Sequence, residues 1–421
     1  MSIDQFLLSA DTTDLNYPEV RPTLDLNFAR TKILDPRITF TRASGGSYVG
    51  ADGLIKYAGV NEPRFDHNPE TGESLGLLIE ESRRNLLLQS NGFNTTWTNG
   101  NSSETAASGI APDGTNTAWT FTDSVDASPA AHELRQGSIA GTSGASYTYS
   151  VYAKAGTLPE LILAFPSAIF GASAATRFNL LNGTVAVAGP GTTNSIVSVG
   201  NGWYRLISTL TATASTTGTY ILRLGNGAGG TYQGDGTGTV LIWGAQLEAR
   251  FFPTSYIPTT TTSVTRAADV ARISGSNFSS WYRQDEGSIY AEYAVNAKAY
   301  TAVVFGFSDG TLNNSIILRG MTSTNSSLSI GSSGRRNQWL NGFSPQTTAI
   351  TKWALGVKTY DIGFVRNGYT ITPNTSAIIP VVNQLRLGSD SDGSAPLNGV
   401  IRRFTYWPQR LPNSHLQTLT K

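Results

Sequence analysis

The chain has few charged residues and no cysteine. Only 14% of its 421 residues are Asp, Glu, Lys or Arg, against about 25% in typical soluble proteins, and the formal net charge is +1. A charge this close to zero gives no general attraction to nucleic acid or to an anionic membrane surface, which bind clusters of Lys and Arg. We therefore expect no nucleic-acid partner.

The absence of cysteine excludes disulfides, thiolate metal ligands and thiol nucleophiles.

Long apolar stretches are also missing. No segment approaches the roughly 20 apolar residues that are needed to cross a bilayer. The first residues, MSIDQFLLSADTTDL, have no basic start and place Asp4 before a very short apolar run, which is not the pattern of a secretory signal. The sequence predicts a protein that can fold in a reducing cytoplasm and is not inserted in a membrane.

Short alternating runs are what the chain does contain, together with 44 glycines. SYTYSVYAKA, NGWYRLISTLTATA and GTYILRLGNG alternate large and small residues over the length of a strand. Many such runs at short spacing, with almost no helical period, are typical of antiparallel sandwiches and jelly rolls. We predict an all-β fold with two consecutive antiparallel β-sandwich or jelly-roll domains after an irregular N-terminal arm.

Composition divides the chain into four parts. Residues 1–84 hold much of the charge and several prolines, which favour an irregular arm and connecting module over long strands. Residues 85–258 are predicted to form the first sandwich, of jelly-roll type. Residues 259–274 form a linker that begins with the polar run TTTTSV, and residues 275–421 form the second sandwich.

Local signals refine this division. The pairs Asp309-Gly310 and Asn367-Gly368 lie between strand-like runs and predict hairpins, because these residue types tolerate a positive φ. The run Leu77-Leu78-Ile79 favours a strand over a helix in LGLLIEESRRNLLL. A short helix is predicted near the C-terminus, with Asn413 or Ser414 as its N-cap.

Carboxylates and arginines are concentrated in one stretch, NEPRFDHNPETGESLGLLIEESRRNLL, from Asn61 to Leu87. Two carboxylates about 5 to 9.5 Å apart could act as acid and base on a glycosidic bond, but nothing in this stretch holds two of them on one rigid strand. We interpret it as a loop held by ion pairs and caps. The residues concerned are Glu62, Asp66, His67, Glu70, Glu73, Glu80 and Glu81, opposite Arg64, Arg83 and Arg84.

Other catalytic patterns are absent as well. The chain has no E-x-D-x-x-E strand and no G-x-S-x-G elbow, and its three histidines lie in separate segments, at His67, His132 and His415. We predict that the protein is not an enzyme and has no catalytic residues. A host polysaccharide depolymerase is an alternative, for which Asp285 with Glu286 and Glu292 is the best candidate acid and base set.

Two glycine-rich turns are candidate binding sites. GSDSDG, from Gly388 to Gly393, could hold Ca²⁺ through Asp390 and Asp392. It lacks the further carboxylate of an EF-hand loop, so an Asx-rich turn is favoured, and no other cofactor is expected. GNGAGG, from Gly225 to Gly230, is not a phosphate cradle, since no GK[ST] follows it.

Aromatic side chains are the best candidates for sugar contact, because Trp and Tyr can stack on sugar rings while polar neighbours bind the hydroxyl groups. Most of them occur inside strand patterns and are expected in the core. Trp97 and Trp339 stand in polar, loop-like surroundings. We predict these two as glycan-binding residues.

Three sets of motifs carry a family resemblance. ITFTRASGGSYVGADGLIKYAGVNEPRFDHNPETGESLGLLIEESRRNLLLQSNGF, from Ile38 to Phe93, resembles the N-terminal module of tailed-bacteriophage virion proteins. YTYSVYAKAG, NGWYRL and WGAQLEARFFPTSYIPTTTTSVTRAAD resemble the carbohydrate-binding-module-like jelly roll that follows in those proteins. FVRNG and LNGVIRRFTYWPQRLPNSHLQTLT resemble concanavalin A-like or laminin G-like sandwiches. In such proteins the charged stretch is a connecting element.

The resemblance implies a tail fibre, spike or head-decoration protein of a phage virion. It implies attachment to other virion proteins of the tail, portal or capsid through the arm before Thr39, and presentation of glycan-binding sandwiches to the host cell surface. Analogy with phage fibres also implies a homotrimer, although no coiled-coil heptad is visible. A capsid decoration protein without glycan binding is an alternative interpretation.

Overall fold

The computed structural model describes residues 20–295, 302–320, 327–332, 335–340 and 349–421. Its strands pair antiparallel, and its helices have between four and seven residues. None of the described helices is long and apolar enough to cross a membrane. The predicted all-β class is confirmed.

Residues 20–85 contribute seven short strands and one helical turn. They are β1 (Leu24–Asn27), α1 (Phe28–Thr31), β2 (Thr39–Thr41), β3 (Gly46–Val49), β4 (Ile55–Ala58), β5 (Phe65–His67), β6 (Ser74–Ile79) and β7 (Arg83–Asn85). The Asn27 side chain accepts a hydrogen bond from the Arg30 N–H and so begins α1, which ends at Lys32 with a left-handed φ of 51°. This cap turns the chain directly after β1.

Residues 86–263 form what we call the inserted sandwich. Its elements are β8 (Thr98–Gly100), β9 (Ser102–Gly109), β10 (Ala118–Asp123), β11 (Glu133–Ala140), β12 (Ser146–Ala155), β13 (Glu160–Phe165), α2 (Ser167–Phe170), β14 (Ala174–Asn179), β15 (Thr184–Val187), β16 (Thr193–Ser198), β17 (Tyr204–Thr211), β18 (Thr217–Gly225) and β19 (Thr239–Glu248). The front sheet has the order β15-β14-β13-β18-β11-β8, and the back sheet has the order β16-β17-β12-β19-β10-β9. Alternating apolar residues of both sheets, such as Leu163 and Val151, fill the core between them.

Residues 20–85 and 264–421 together form what we call the main sandwich. Its further elements are β20 (Val264–Arg266), β21 (Val270–Ser274), α3 (Ser276–Ser279), β22 (Glu286–Val295), β23 (Ala302–Ser308), β24 (Ser315–Gly320), β25 (Ser327–Ser332), β26 (Arg335–Leu340), β27 (Thr351–Lys358), β28 (Asp361–Arg366), β29 (Thr372–Asn374), β30 (Gln384–Leu387), β31 (Gly399–Trp407) and α4 (Asn413–Leu419). One sheet has the order β2-β21-β30-β23-β24-β25-β26. The other has the order β29-β28-β27-β22-β31-β6-β5, with β1 also paired to β31.

The inserted sandwich interrupts the main sandwich. Strand β6 pairs with β31 and β2 pairs with β21, so strands on both sides of the insertion share the same sheets. The chain leaves the main sandwich after β7 and re-enters it at β20. These two strands pair with each other, and Asn85 lies opposite Val264. The two sandwiches are therefore not strictly consecutive, as they were expected to be, because strands before the insertion complete the second one. The expected linker, residues 259–274, contains β20 and β21. Pairing between strands so far apart in sequence leaves no local pattern.

Residues 20–38 are part of the main sandwich and not a free arm. Leu24, Leu26 and Phe28 are each at most 2% exposed and lie in its core, because the alternation in LDLN puts both leucines on one face of β1. This corrects the expected docking arm before Thr39. Residues 1–19 lie outside the described residues.

Three of the local signals are confirmed and one is displaced. Asp309-Gly310 connects β23 to β24 and Asn367-Gly368 follows β28 towards β29, and both strand pairs are antiparallel hairpins. The run Leu77-Leu78-Ile79 lies on strand β6. Helix α4 begins at Asn413 with Pro412 as its N-cap, so neither Asn413 nor Ser414 caps it. The extended ψ of 150° at Pro412 lets the chain turn into the helix without a side-chain cap.

Replacing Leu26 by Ala should destabilise the main sandwich by about 2 to 5 kcal/mol, the usual cost of truncating a buried leucine. Ile33 is 71% exposed and provides the control, since Ile33→Ala should change the free energy of unfolding by less than about 0.5 kcal/mol. Urea unfolding of both variants measures the difference. Equal effects would show that residues 20–38 do not belong to the core.

Candidate functional site

The two predicted sugar-stacking tryptophans do not form an open surface. Trp97 is 4% exposed, packs 5.2 Å from the Phe93 ring and donates its indole N–H to the Gln89 carbonyl. It is a core residue of the inserted sandwich, which corrects its assignment to glycan binding. Trp339 lies on β26, and its side chain is outside the described part of the structure. The other tryptophans are buried, at Trp119, Trp203, Trp243, Trp281, Trp353 and Trp407.

The carboxylates of the candidate Ca²⁺ loop already have partners. Asp390 forms an ion pair with Arg319 at 2.6 Å, and Asp392 accepts the backbone N–H of Ser394. The Arg319 guanidinium brings a positive charge to the oxygens that a cation would need. Among the described residues, no three or more His, Asp or Glu side chains are grouped to hold a metal ion. The loop has the geometry of an Asx turn.

The candidate acid and base set of a depolymerase is divided among separate ion pairs. Asp285 and Glu286 contact Arg283, whereas Glu292 contacts Arg402. Glu286 and Glu292 lie at opposite ends of the run EGSIYAE on β22, which places them roughly 20 Å apart along an extended strand. A glycosidase pair needs about 5 to 9.5 Å. The three histidines also lie in separate segments, since His67 is on β5, His132 directly precedes β11 and His415 is on α4.

The outer face of the front sheet carries a row of paired charges. Glu133, Arg223 and Arg177 follow one another across β11, β18 and β14, with the buried Ile162 of β13 between the two arginines. Glu133 forms an ion pair with Arg223. The glycine-rich loop folds over this row, because the Gly227 carbonyl accepts a hydrogen bond from Arg177 at 2.8 Å. The loop from Gly225 to Gly230 therefore packs on the outer face of the sheet and is not a phosphate cradle.

The charged stretch from Asn61 to Leu87 folds into strands and a buried ion network that we call the junction. Arg64 bonds to Glu80 at 2.7 Å and also to Asp269. Arg42 bonds to the other oxygen of Asp269 at 3.1 Å, and Arg266 bonds to Glu80 at 2.8 Å. All five side chains are at most 2% exposed. The interpretation of ion pairs is thus confirmed, although they join the ends of packed strands and not one loop.

The end of the inserted sandwich is tied to the same junction. Ser255 donates both its backbone N–H and its hydroxyl to the Glu80 carboxylate, at 2.8 and 2.7 Å. The Ser47 hydroxyl of β3 donates to the Tyr256 carbonyl at 2.6 Å. The motifs TFTRAS, PRFDH, GLLIEES, PTSYIP and TRAAD, which are spread over 231 residues from Thr39 to Asp269, therefore meet in space.

Glu80 is one of the two carboxylates on which the junction depends. Burial by itself raises the pKa of the Glu80 carboxyl, but the charges of Arg266 and Arg64 outweigh burial and lower this pKa from 4.5 to about 2. Three guanidiniums face two carboxylates in the junction. Loss of either acid would leave a buried positive charge without a partner.

A crevice of about 390 Å³ lies beside the junction, between the back sheet and the main sandwich. Small-molecule sites commonly have volumes of about 300 to 1,000 Å³. The inserted sandwich contributes one wall through β12, β16 and β17, and the main sandwich contributes the other. The lining includes Tyr48, Asp66, His67, Tyr152, Val197, Val199, Arg205, Ile207, Tyr256, Val295 and Ile350.

Asp66 and His67 form a polar floor in this crevice. Oδ1 of Asp66 accepts the Val49 N–H at 2.7 Å, and Nδ1–H of His67 donates to the Val49 carbonyl at 3.0 Å. A β-bulge at the facing positions of β6 changes the register between these two residues, and bulges re-aim side chains in this way. Burial raises the pKa of the Asp66 carboxyl to about 6. The sequence singled out both residues, but not their common partner.

Arg205 reaches the crevice from the opposite wall. Its guanidinium lies 5.4 Å from the centroid of the Tyr152 ring and donates to the Thr254 carbonyl and the Ser150 hydroxyl. No sequence motif pointed to Arg205. The available signal was alternation on β17, because Leu206 lies in the core and its neighbour must face outwards.

Several solved structures are similar to part of the chain. The CBM40 module of the Ruminococcus gnavus IT-sialidase, bound to α2,3 sialyllactose, is 13% identical over 34% of this chain and 88% of its own, with a TM-score of 0.32. Domain 4 of an extracellular arabinanase from Geobacillus stearothermophilus, in complex with arabinotriose, is 16% identical over 41% and 83%, with a TM-score of 0.33. Mouse laminin alpha1 domains LG4-5 are 11% identical over 65% and 87%, with a TM-score of 0.25.

These similarities are too low to establish a ligand or an activity for this chain. No protein-family model matches the sequence. No curated protein matches it either. In shape, parts of the chain resemble carbohydrate-binding modules and laminin LG domains.

Replacing Glu80 by Gln should lower the free energy of unfolding by about 3 to 5 kcal/mol, because three buried guanidiniums would then face the single carboxylate of Asp269. Glu73→Gln is the matched control, since the Glu73 side chain is 56% exposed in its ion pair with Arg402 and should cost at most about 1 kcal/mol. Guanidinium unfolding measures both. Similar losses in the two variants would contradict the role given to the junction.

Replacing Asp66 by Asn should change how stability depends on pH. The pKa of Asp66 is about 6 in the folded protein against an ordinary 3.8, so the unfolded chain releases this proton first. Ionisation of Asp66 therefore lowers the free energy of unfolding as the pH rises from about 4 to about 6. Asn cannot ionise and keeps an oxygen for the Val49 N–H. Urea unfolding across this window should show a slope of stability against pH that is more positive in the variant than in the wild type, and identical slopes would contradict the assignment.

Proposed function

We propose that the protein is a non-catalytic structural component of a tailed-phage virion that binds host-surface glycan. The observation that carries this proposal is the junction, where five buried charged side chains fix two β-sandwiches at one point. These are the motifs in which the chain resembles phage virion proteins. Their buried pairing serves to hold domains in place, which is what an adhesion scaffold requires.

The distribution of carboxylates supports a binding role over a catalytic one. Glu80, Asp269, Glu133 and Glu160 are buried in ion pairs with arginine, so their charge is already used within the fold. The candidate pair Glu286 and Glu292 is too widely spaced for glycoside hydrolysis. A depolymerase is therefore the weaker proposal.

Weak single sites suit this role when they are repeated. A millimolar Kd corresponds to only about −4 kcal/mol, but linked copies raise the avidity by roughly 10² to 10⁴. We propose a homotrimer on the virion surface for this reason, by analogy with phage fibres. Attachment to tail, portal or capsid proteins would fall to residues 1–19, since residues 20–38 belong to the main sandwich.

The purified full chain should bind host-surface polysaccharide without shortening it. Binding is measured on a glycan array, and chain length is measured by gel filtration of capsule or lipopolysaccharide after incubation. Light scattering should give the mass of an oligomer, and immunogold labelling should place the protein on virions of a phage that encodes it. Surface labelling without glycan binding would indicate a decoration protein instead. Shortened polysaccharide would indicate a depolymerase, and a monomer without labelling would contradict the proposal.

A further inference from the structure

Two arginines lie directly opposite each other on one sheet of the main sandwich. Arg272 of β21 is paired in register with Arg386 of β30. Their neighbours Ala271, Ile273 and Leu385 belong to the core, so the alternation of the strands places both guanidiniums on the outer face of the sheet. Both arginines are partly exposed. The pair therefore presents two positive charges to the solvent.

The charge of this pair is only partly balanced within the described residues. Most other arginines in that part of the chain form an ion pair with Asp or Glu, as Arg177 does with Glu160. The side chains of Arg272 and Arg386 form no ion pair or hydrogen bond with any described residue. Burial and the charge of Arg272 lower the pKa of the Arg386 guanidinium, and the charge of Asp392 opposes this shift only in part. Like charges directly opposite each other destabilise a sheet.

Hydroxyl side chains and a glycine turn surround the pair. Thr39 of β2 lies directly opposite Arg272 and is exposed, and Ser274 follows two residues later on the same face of β21. Beyond Arg386, the loop that follows β30 comes so close that a Cβ added to Gly393 would lie 3.4 Å from Nη1. The GSDSDG turn of the sequence therefore flanks the arginine pair.

This face offers little to a protein partner. Among the described residues, none of the exposed large apolar side chains lies on β2, β21, β30 or β23, the four neighbouring strands. Protein interfaces are usually anchored by aromatic and apolar side chains that fill pockets. Guanidinium groups instead match planar oxyanions, which accept two parallel hydrogen bonds from one fork. The face is therefore suited to a polar, anionic ligand.

The local charge distinguishes between anions. Two guanidiniums and the single carboxylate of Asp392 leave one net positive charge at this place. A carboxylate carries one negative charge, whereas a phosphate monoester carries about 1.5 to 2 near pH 7. A carboxylate is thus the better match.

We infer that Arg272 and Arg386 form a clamp that binds the carboxylate of an acidic polysaccharide, such as one that contains uronic acids. The guanidiniums donate hydrogen bonds to the carboxylate oxygens, and Thr39 and Ser274 lie beside them for the sugar hydroxyls. The clamp rests on the proposed function, since it names the charge of the host-surface glycan and the face that binds it. A polymer with repeated carboxylates also lets several copies of the chain bind together, which raises the avidity.

The clamp is tested on the full chain by isothermal titration calorimetry with trigalacturonate, and with galactotriose as an uncharged probe. The wild type should bind trigalacturonate, more weakly as salt is added, and should bind galactotriose at least about tenfold more weakly. Arg272→Gln and Arg386→Gln should each weaken trigalacturonate binding by about tenfold or more, as expected for a lost hydrogen bond to a charged group. Neither should lower the melting temperature, because each removes a like charge from the pair.

Two further variants serve as controls. Arg30→Gln changes the net charge by the same amount, but Arg30 is exposed on α1, which contacts β6 and β31 of the other sheet. It should leave binding unchanged. Asp392→Asn keeps an oxygen for the Ser394 N–H and removes the nearby negative charge. It should strengthen binding by up to about fivefold, the usual range for one exposed charge interaction.

The outcomes separate this inference from the proposed function. Trigalacturonate binding that neither arginine variant weakens, or that Arg30→Gln weakens equally, would overturn the clamp and leave the proposed function standing. Equal binding of galactotriose, or array binding to neutral glycans alone, would do the same. Tighter binding of inorganic phosphate would overturn the carboxylate as ligand, and tighter binding of a triglutamate peptide would overturn the polysaccharide in favour of an acidic protein segment. No binding of any saccharide by the wild type would overturn both proposals.

Discussion

Three arginines and two carboxylates share one buried position where the chain leaves the main sandwich and returns to it. Arg64 lies at the centre of this junction, bonded to both Glu80 and Asp269. Desolvating these groups is costly, and their mutual attraction compensates only when the geometry is complete. The junction is therefore all-or-none: each member needs the others in place. The relative position of the two sandwiches depends on that condition.

The insertion explains why such a junction is needed. Strand β7 precedes the inserted sandwich and β20 follows it, and the two strands pair over only three residues. A connection that short would act as a hinge if nothing else held it. Ser255 bonds to Glu80 and so fixes the returning segment to the main sandwich. The crevice with Asp66 on one wall and Arg205 on the other exists because this hinge is closed.

The fold class and many elements were predictable because they depend on local patterns. Alternation in SYTYSVYAKA has the two-residue period of a strand. The pair Asn367-Gly368 indicates a hairpin turn, because both residue types tolerate a positive φ. The burial of Trp97 was not predictable from its polar neighbours in sequence, because the Phe93 ring that packs against it is brought there by the fold. The ion-pairing of the charged stretch was foreseen, but Asp269 and Arg266 were not assigned to it. Arg205 carried no motif at all.

By itself, the sequence determined an all-β protein with few charged residues and no thiol chemistry. It also determined that the charged stretch from Asn61 to Leu87 forms ion pairs within the fold. Those conclusions follow from composition and from the strand period, which neighbouring residues impose on one another. Only the tertiary structure decided that β1 completes the main sandwich, that the other sandwich is an insertion, and that His67 and Arg205 share a cavity. Contacts between distant segments are chosen by the free energy of the whole packed chain, and no local window of residues contains that information.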